Sequence, residues 1–98
     1  MDENLLYFLD ELRARAGRPI YITSSYRHSE SSSAHCTGHA VDISDNNAGL
    51  ALGSHWRHKV LTAAYVMGAR RIGIYDRHIH IDNSPTHDQD VTWIGVSE

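Results

Sequence analysis

Two segments of this 98-residue chain carry side chains that could hold a metal ion. The first places an imidazole, His35, and a carboxylate, Asp42, on either side of Gly38, where the backbone can turn without steric cost. The second lies much later in the chain and contains two histidines, His78 and His80. Two histidines and one carboxylate suit Zn²⁺, and three protein ligands leave a fourth position for water, which is the catalytic arrangement.

The residues around the second segment alternate in the manner of a β-strand. Side chains of a strand point to its two faces in turn. His78, His80 and Asp82 therefore project to one face, while the isoleucines between them point to the other. This alternation predicts that the polar residues of the segment share one side of a sheet.

Further motifs accompany these residues in a fixed order. Ser25-Tyr26-Arg27 comes first, and residues 33–42 then read Ser-X-His-X-X-Gly-X-Ala-X-Asp. Residues 72–75 read Ile-Gly-Ile-Tyr, and residues 79–82 read hydrophobic-His-hydrophobic-Asp. Together they resemble the peptidase M15 group of zinc D-alanyl-D-alanine carboxypeptidases and peptidoglycan endopeptidases, whose superfamily also holds lysostaphin-type enzymes and the hedgehog domain. The resemblance spans roughly residues 18–94, and long ordered motifs mislead far less than short ones.

The resemblance implies a fold, a ligand set and a reaction. The fold is a single α+β domain over residues 1–98, in which a small antiparallel sheet carries the zinc site and packs against two helices, as in the hedgehog and DD-peptidase domains. The implied Zn²⁺ ligands are His35, Asp42 and His80. The implied reaction is hydrolysis of amide bonds in peptidoglycan stem peptides or cross-links. Both a D-alanyl-D-alanine carboxypeptidase and an endopeptidase of the endolysin type stay open.

The general base is where the sequence departs from the carboxypeptidase pattern. In that group an acidic residue stands three positions before the last histidine ligand. Here that position is Arg77, which cannot act as a base. The superfamily offers a second solution, in which the first histidine of His-X-His is catalytic, and His78 fits that role. Asp76 is the alternative, but the shared strand face and the near-neutral pKa of an ordinary histidine favour His78.

Three other residues receive roles from the resemblance. Arg27 resembles the arginine that binds the terminal carboxylate of the substrate in the carboxypeptidases, since a guanidinium pairs bidentately with a carboxylate. Ser33 either donates a hydrogen bond near the site or caps the turn into His35. Asp82 is expected to orient Arg27 or a histidine from outside the ligand set.

Composition and charge fit one small globular domain. Hydrophobic residues make up 41% of the chain and charged residues 21%, which is ordinary for a folded protein. The formal charge of -3 and the lack of a basic stripe give no electrostatic case for nucleic acid. No apolar stretch reaches membrane-spanning length, so we expect no membrane insertion, and we expect a monomer. Cys36 is the only cysteine, which rules out an internal disulfide.

The first residues of the chain bear on its location. Met1-Asp2-Glu3-Asn4 is acidic where a signal peptide would be basic, so we expect this chain to carry no export signal. With a cell-wall substrate, either another mechanism delivers the chain to the periplasm, to the outside of the cell or by phage, or the chain is a domain trimmed from a longer protein. A second class of function is also open, an inactive zinc-stabilised binding module, which Arg77 in place of an acid supports.

Apolar spacing predicts the elements that position these residues. Helices are predicted over residues 2–16 and from Ser54, as the cap, to about Met67. Strands are predicted at residues 20–24, 39–44, 71–75 and 78–82, the last two joined in a hairpin. Trp93 is expected in a C-terminal tail that covers one end of the sheet.

Overall fold

The computed structural model of the chain describes residues 2–24, 38–45 and 51–95, and the fold is given for these residues. Its elements in chain order are α1 (Glu3–Ala16), β1 (Tyr21–Ser24), β2 (Ala40–Ser44), α2 (Ser54–Val66), β3 (Arg71–Ile74), β4 (Ile79–Asp82) and β5 (Val91–Ile94). The strands form one sheet, so the predicted α+β architecture is confirmed. No helix in the described part of the chain is long and apolar enough to cross a membrane.

Helix α1 forms as its apolar spacing predicts. Its N-cap is Asp2, whose carboxylate accepts a hydrogen bond from the Leu5 backbone N–H at 3.0 Å. The helix ends at Gly17, which adopts a left-handed conformation (φ 65°) that favours glycine. The buried face consists of residues three or four positions apart: Leu5, Leu9, Leu12 and Ala16. Burial of each leucine contributes about 1.5–3 kcal/mol to stability.

Helix α2 begins one residue earlier than the sequence predicts. Its N-cap is Gly53, not Ser54, and no side chain caps the first turn. The entry is held instead by Asp45, whose carboxylate accepts a hydrogen bond from the Gly53 N–H at 2.9 Å. The buried residues of α2 are Trp56, Val60, Ala63 and Ala64. Helical spacing in the sequence predicts an inward face of Trp56, Val60, Leu61, Ala64 and Met67. Ala63 is buried although this face does not include it, while Leu61 and Met67 are only partly buried.

The sheet has the strand order β1-β2-β4-β3-β5. β1 pairs with β2, β2 with β4 and β4 with β3, all antiparallel as predicted. β5 pairs with β3 in parallel, so the sheet is mixed. The prediction of a tail at Trp93 was wrong, because residues 91–94 form this fifth strand. A four-residue strand is too short to show its period clearly. The turn-forming residues of the connection over residues 83–90 do not indicate with which strand residues 91–94 pair.

A tight hairpin joins β3 to β4, as predicted. The Tyr75 backbone N–H donates to the His78 carbonyl at 3.1 Å across the turn at residues 76–77. The register that follows places Gly73 opposite His80. This turn therefore fixes which residues of β3 lie beside the candidate ligand.

The two faces of the sheet differ in chemistry. One face is apolar and forms one hydrophobic core with the buried residues of both helices. Its buried residues are Val41, Ile43, Ile72, Ile79 and Ile81. Because strand residues alternate between faces, their neighbours along each strand point to the opposite side. That opposite face carries the polar and aromatic side chains of the candidate site.

Candidate metal centre

A row of four residues crosses the open face of the sheet. Asp42 of β2 is paired with His80 of β4, His80 with Gly73 of β3, and Gly73 with Trp93 of β5. Paired residues of neighbouring strands point to the same face, with their Cβ atoms close together. The strand register therefore brings together two of the three predicted metal ligands.

The His80 imidazole lies between two carboxylates. Its Nδ1 is 3.0 Å from Oδ1 of Asp42, and its Nε2 is 2.7 Å from Oδ2 of Asp82. Only 12% of the His80 side chain and 1% of the Asp82 side chain are exposed. The orientation of the ring is thus fixed from both sides.

These carboxylates change the protonation of His80 in the metal-free chain. Burial lowers the pKa of the imidazole, but its hydrogen bonds to Asp42 and Asp82, and their charges, outweigh burial and raise the pKa of His80 above its ordinary value. Burial raises the pKa of Asp82, but contacts with His80, the Ser84 N–H and Arg71 outweigh burial and lower this pKa. An ionised Asp82 only accepts hydrogen bonds, which places a proton on Nε2 of His80.

Asp42 and His80 have the chemistry of two zinc ligands. With a proton held on Nε2 by Asp82, Nδ1 of His80 is the nitrogen left for a metal, and it faces Asp42. Zinc bonds of about 2.1 Å place two ligands of a tetrahedral ion roughly 3.4 Å apart. The 3.0 Å that separates Nδ1 from the Asp42 oxygen is close to this spacing.

The pair needs a further donor to form a complete site, because catalytic zinc usually has three protein ligands. Within residues 2–24, 38–45 and 51–95, no group of three or more His, Cys, Asp or Glu side chains that could hold a metal is present. The third predicted ligand, His35, lies outside the described residues, as do the substrate-binding candidates Arg27 and Ser33.

Of the two candidate bases, His78 lies beside the ligand pair. Its Nε2 is 4.0 Å from Oδ2 of Asp42, and its side chain is 24% exposed. The ring stacks on Tyr75, with 4.3 Å between the ring centroids. Asp76 lies in the hairpin turn, where its half-exposed carboxylate is 3.9 Å from Nε of Arg77. His78 is therefore the candidate base that lies beside Asp42 of the ligand pair.

Arg71 is a residue of the site that sequence reasoning missed. Its Nε donates to Oδ1 of Asp82 at 2.6 Å, and the Ser84 backbone N–H donates to the same oxygen at 3.2 Å. The sequence did contain a signal, because a two-residue turn places positions 71 and 82 opposite each other. Asp82 therefore contacts a histidine, as one of its two expected roles requires, together with a cation from the neighbouring strand.

Trp93 is a second residue that sequence reasoning placed elsewhere. Its indole lies over Gly73, where an added Cβ would come within 2.5 Å of Nε1. The indole N–H donates to the Tyr75 hydroxyl at 3.0 Å, and the ring centroids of Trp93 and His80 are 5.3 Å apart. The guanidinium of Arg71 lies 5.2 Å from the centroid of the same indole. The fifth strand thus adds an aromatic side chain, Trp93, to the row of site residues.

The fold and the histidine–carboxylate pair define a small α+β domain with a candidate metal centre on the open face of its sheet. The chain belongs to the Peptidase M15 family, whose sequence pattern matches residues 2–82. This segment runs from the N-cap of α1 to the last residue of β4. Comparison with curated proteins and with solved structures gives no significant match. Membership of the family indicates a peptidase.

Proposed function

We propose that this chain is a zinc-dependent peptidase that cleaves amide bonds of peptidoglycan, within stem peptides or in cross-links. The observation that carries the proposal is the pair of Asp42 and His80, with Nδ1 of the histidine 3.0 Å from the carboxylate. This pair supports zinc binding because a zinc-binding histidine usually donates its second ring N–H to a carboxylate, as Nε2 of His80 does to Asp82. Membership of the Peptidase M15 family supports the peptidase reaction.

His35 would complete the ligand set, as the resemblance of residues 33–42 to the family motif implies. Two neutral histidines and one carboxylate would leave the site with one net positive charge. When bound, zinc supplies Lewis acidity, which polarises an amide carbonyl and lowers the pKa of water towards neutrality.

In this proposal His78 removes the proton from the attacking water and later gives it to the leaving amine. The atom concerned is Nε2, which lies 4.0 Å from Oδ2 of Asp42. The stacked ring of Tyr75 limits rotation of the imidazole and so keeps this nitrogen on the side of the ligand pair. A positioned base of this kind typically contributes about 10²–10⁴ to the rate. Asp76 is the alternative base.

Arg27 would bind the substrate in the carboxypeptidase form of the reaction, because its planar guanidinium matches a terminal carboxylate. Ser33 would either donate a hydrogen bond beside the site or cap the turn into His35. An endopeptidase that cuts inside a cross-link has no terminal carboxylate at this place. The proposed substrate lies in the cell wall, so the chain would act in the periplasm, outside the cell or after phage delivery. We further propose that it acts as a monomer.

A second candidate function is a zinc-stabilised binding module without catalysis. Arg77 favours it, since this residue occupies the position where the carboxypeptidase pattern has an acid. Its half-exposed side chain lies near Asp76, and a guanidinium cannot remove a proton from water. In this case the same metal site would serve stability and recognition alone.

The two functions separate in one experiment. Purified peptidoglycan is incubated with the zinc-loaded chain, and its muropeptides are compared by mass spectrometry before and after. A carboxypeptidase releases D-alanine, whereas an endopeptidase converts cross-linked fragments into shorter ones. The matched controls are His80→Ala, which should be inactive, and His55→Ala, which should keep full activity because His55 lies exposed on α2. Unchanged muropeptides with a wild-type chain that holds one zinc would contradict the peptidase function.

A further inference from the structure

Asp82 carries its charge in a buried place. Its side chain is 1% exposed, and that of its partner Arg71 is 12% exposed. Removing such charges from water costs several kcal/mol per ion, which the pair recovers only with good geometry and further hydrogen bonds. Asp82 has them, because it accepts from Arg71, His80 and the Ser84 N–H. The buried charge of Asp82 is thus compensated by three donors, one of which is the candidate ligand His80.

The guanidinium of Arg71 is held from three sides. Nε donates to Asp82, Nη1 donates to the backbone carbonyl of Asp88, and the indole of Trp93 lies 5.2 Å from the guanidinium carbon. These contacts come from β4, from the connection before β5, and from β5 itself. Together they orient the Arg71 side chain so that Nε points at the carboxylate behind His80.

Trp93 is itself fixed in position. Its indole N–H donates to the Tyr75 hydroxyl at 3.0 Å. The ring lies directly on the backbone of Gly73, at a distance that no residue with a Cβ would allow. Gly73 and Tyr75 of the Ile-Gly-Ile-Tyr motif thus position the indole of Trp93. Trp93 belongs to β5, which follows the segment matched by the family pattern.

We propose that Arg71 is a positioning residue for the metal ligand His80, acting through Asp82, and that Trp93 holds Arg71 in place. The guanidinium fixes the Asp82 carboxylate, and this carboxylate fixes the tautomer and the rotation of the imidazole. Groups that orient a ligand in this way are typically worth about 10–100-fold in metal affinity. This role rests on the proposed function, because it requires His80 to bind zinc.

The neighbouring residue offers a matched control. Arg70 makes a bidentate ion pair with Asp90, at 2.8 and 2.9 Å, but its side chain is 57% exposed. Arg70→Met and Arg71→Met therefore remove the same charge and an arginine–aspartate ion pair each, one on the surface and one behind His80. Exposed pairs contribute little, so a loss of zinc affinity confined to Arg71→Met would not be a general effect of charge.

The experiment measures zinc affinity by competition with a chromophoric chelator, with the fold checked by circular dichroism in the metal-free state. Arg71→Met is expected to bind zinc about 10–100-fold more weakly than wild type, and Arg70→Met within about 2-fold of it. Arg71→Lys should recover part of the loss, since it restores the charge without the fork. Trp93→Leu should weaken binding by a smaller factor, on the order of 3- to 10-fold, because the ion pair remains.

The outcomes separate this role from the proposed function. A wild-type chain that binds no zinc overturns both. A wild-type chain that binds zinc while Arg71→Met binds it equally tightly overturns the positioning role alone. If Arg71→Met does not fold without metal, Arg71→Lys decides, and wild-type affinity in that variant overturns the role of Arg71. Wild-type affinity in Trp93→Leu overturns the part assigned to Trp93. In the zinc-loaded protein the Nε2–H of His80 should exchange with solvent faster in Arg71→Met than in wild type, as measured by NMR, and equal exchange rates would count against the role.

Discussion

Asp82 accepts a hydrogen bond from Nε2 of His80 at 2.7 Å, two residues along the same face of β4. Because this nitrogen keeps its proton, the ring presents Nδ1 to Asp42 on the neighbouring strand, 3.0 Å away. One strand pairing and one two-residue step along a strand therefore build the whole arrangement.

His78→Ala should retain zinc and fold yet lose roughly two to four orders of magnitude in turnover, the range expected for removal of a general base. The acidic limb of the pH–rate profile should vanish or move, because that limb reports protonation of the base. Turnover of muropeptides across pH, with zinc content measured on the same samples, checks both points.

The matched variant for this prediction is Asp76→Asn in the adjacent turn. It should stay active, since the Asp76 carboxylate is half-exposed and near Arg77. If Asp76→Asn is inactive while His78→Ala works normally, the carboxylate is the base and the assignment of His78 is wrong.

Arg27→Lys tests the carboxypeptidase form of the reaction. A point charge does not replace the planar guanidinium, so the lysine variant should already lose activity on a substrate with a free terminal carboxylate. Amidation of that carboxylate should cause the same loss in wild type and no further loss in the variant, because both changes remove one interaction. Full wild-type activity on the amidated substrate would instead identify an endopeptidase.

Gly73→Ala tests the close contact between the Trp93 indole and the backbone of residue 73. An added Cβ would come within 2.5 Å of the indole, so the ring must move, at a cost of about 1–3 kcal/mol in the free energy of unfolding. Denaturant unfolding of Gly73→Ala, Trp93→Leu and the double variant checks this. The double variant should be more stable than the sum of the two single losses predicts, since the leucine leaves room for the methyl group. Strictly additive losses would show that the close contact does not exist in solution.

Much of this arrangement could be predicted from local sequence signals. The alternation around His80 places it on one face with Asp82, and the turn after Tyr75 sets the pairing of β3 with β4. The buried face of α1 follows from leucines at helical spacing. These features depend on residues close together in the chain, where periodicity and turn chemistry act directly.

The roles of Arg71 and Trp93 depend on distant pairings instead. Residues 91–94 are too few to show a clear period, and nothing local indicates that they pair in parallel with β3. The contact between Arg71 and Asp82 follows from the hairpin register. Without that register, an arginine at the start of a strand is expected to be exposed, as most arginines are. Charge and aromatic contacts across strands are tertiary features that a single sequence expresses weakly.

Asp2 gives a pH dependence of stability that is independent of the metal. The hydrogen bond from Asn83 lowers the pKa of its carboxylate and outweighs burial, which raises this pKa, and the Leu5 N–H lowers it further. A lowered pKa in the folded state contributes stability above the ordinary pKa of about 4, and this contribution is lost as the pH falls through the folded value. Asp2→Ala should therefore reduce the unfolding midpoint at pH 7, and the difference from wild type should shrink towards pH 2.

Asp10→Ala is the control for this prediction, because Asp10 is an exposed residue in the interior of α1. It should not lower stability at pH 7, since alanine is the better helix former. Thermal unfolding across pH in the presence of a chelator measures both variants. A difference between Asp2→Ala and wild type that stays constant from pH 7 to pH 2 would contradict the role of the ionised cap.

The zinc content of purified protein tests the central claim most directly. Elemental analysis should find one zinc per chain in wild type and in His55→Ala, whose exposed imidazole lies on α2. The metal should be lost from His35→Ala, Asp42→Ala and His80→Ala, because each removes one of three ligands. Equal loss from the His55 variant, or full zinc in the variants of Asp42 and His80, would contradict a metal centre on this face of the sheet.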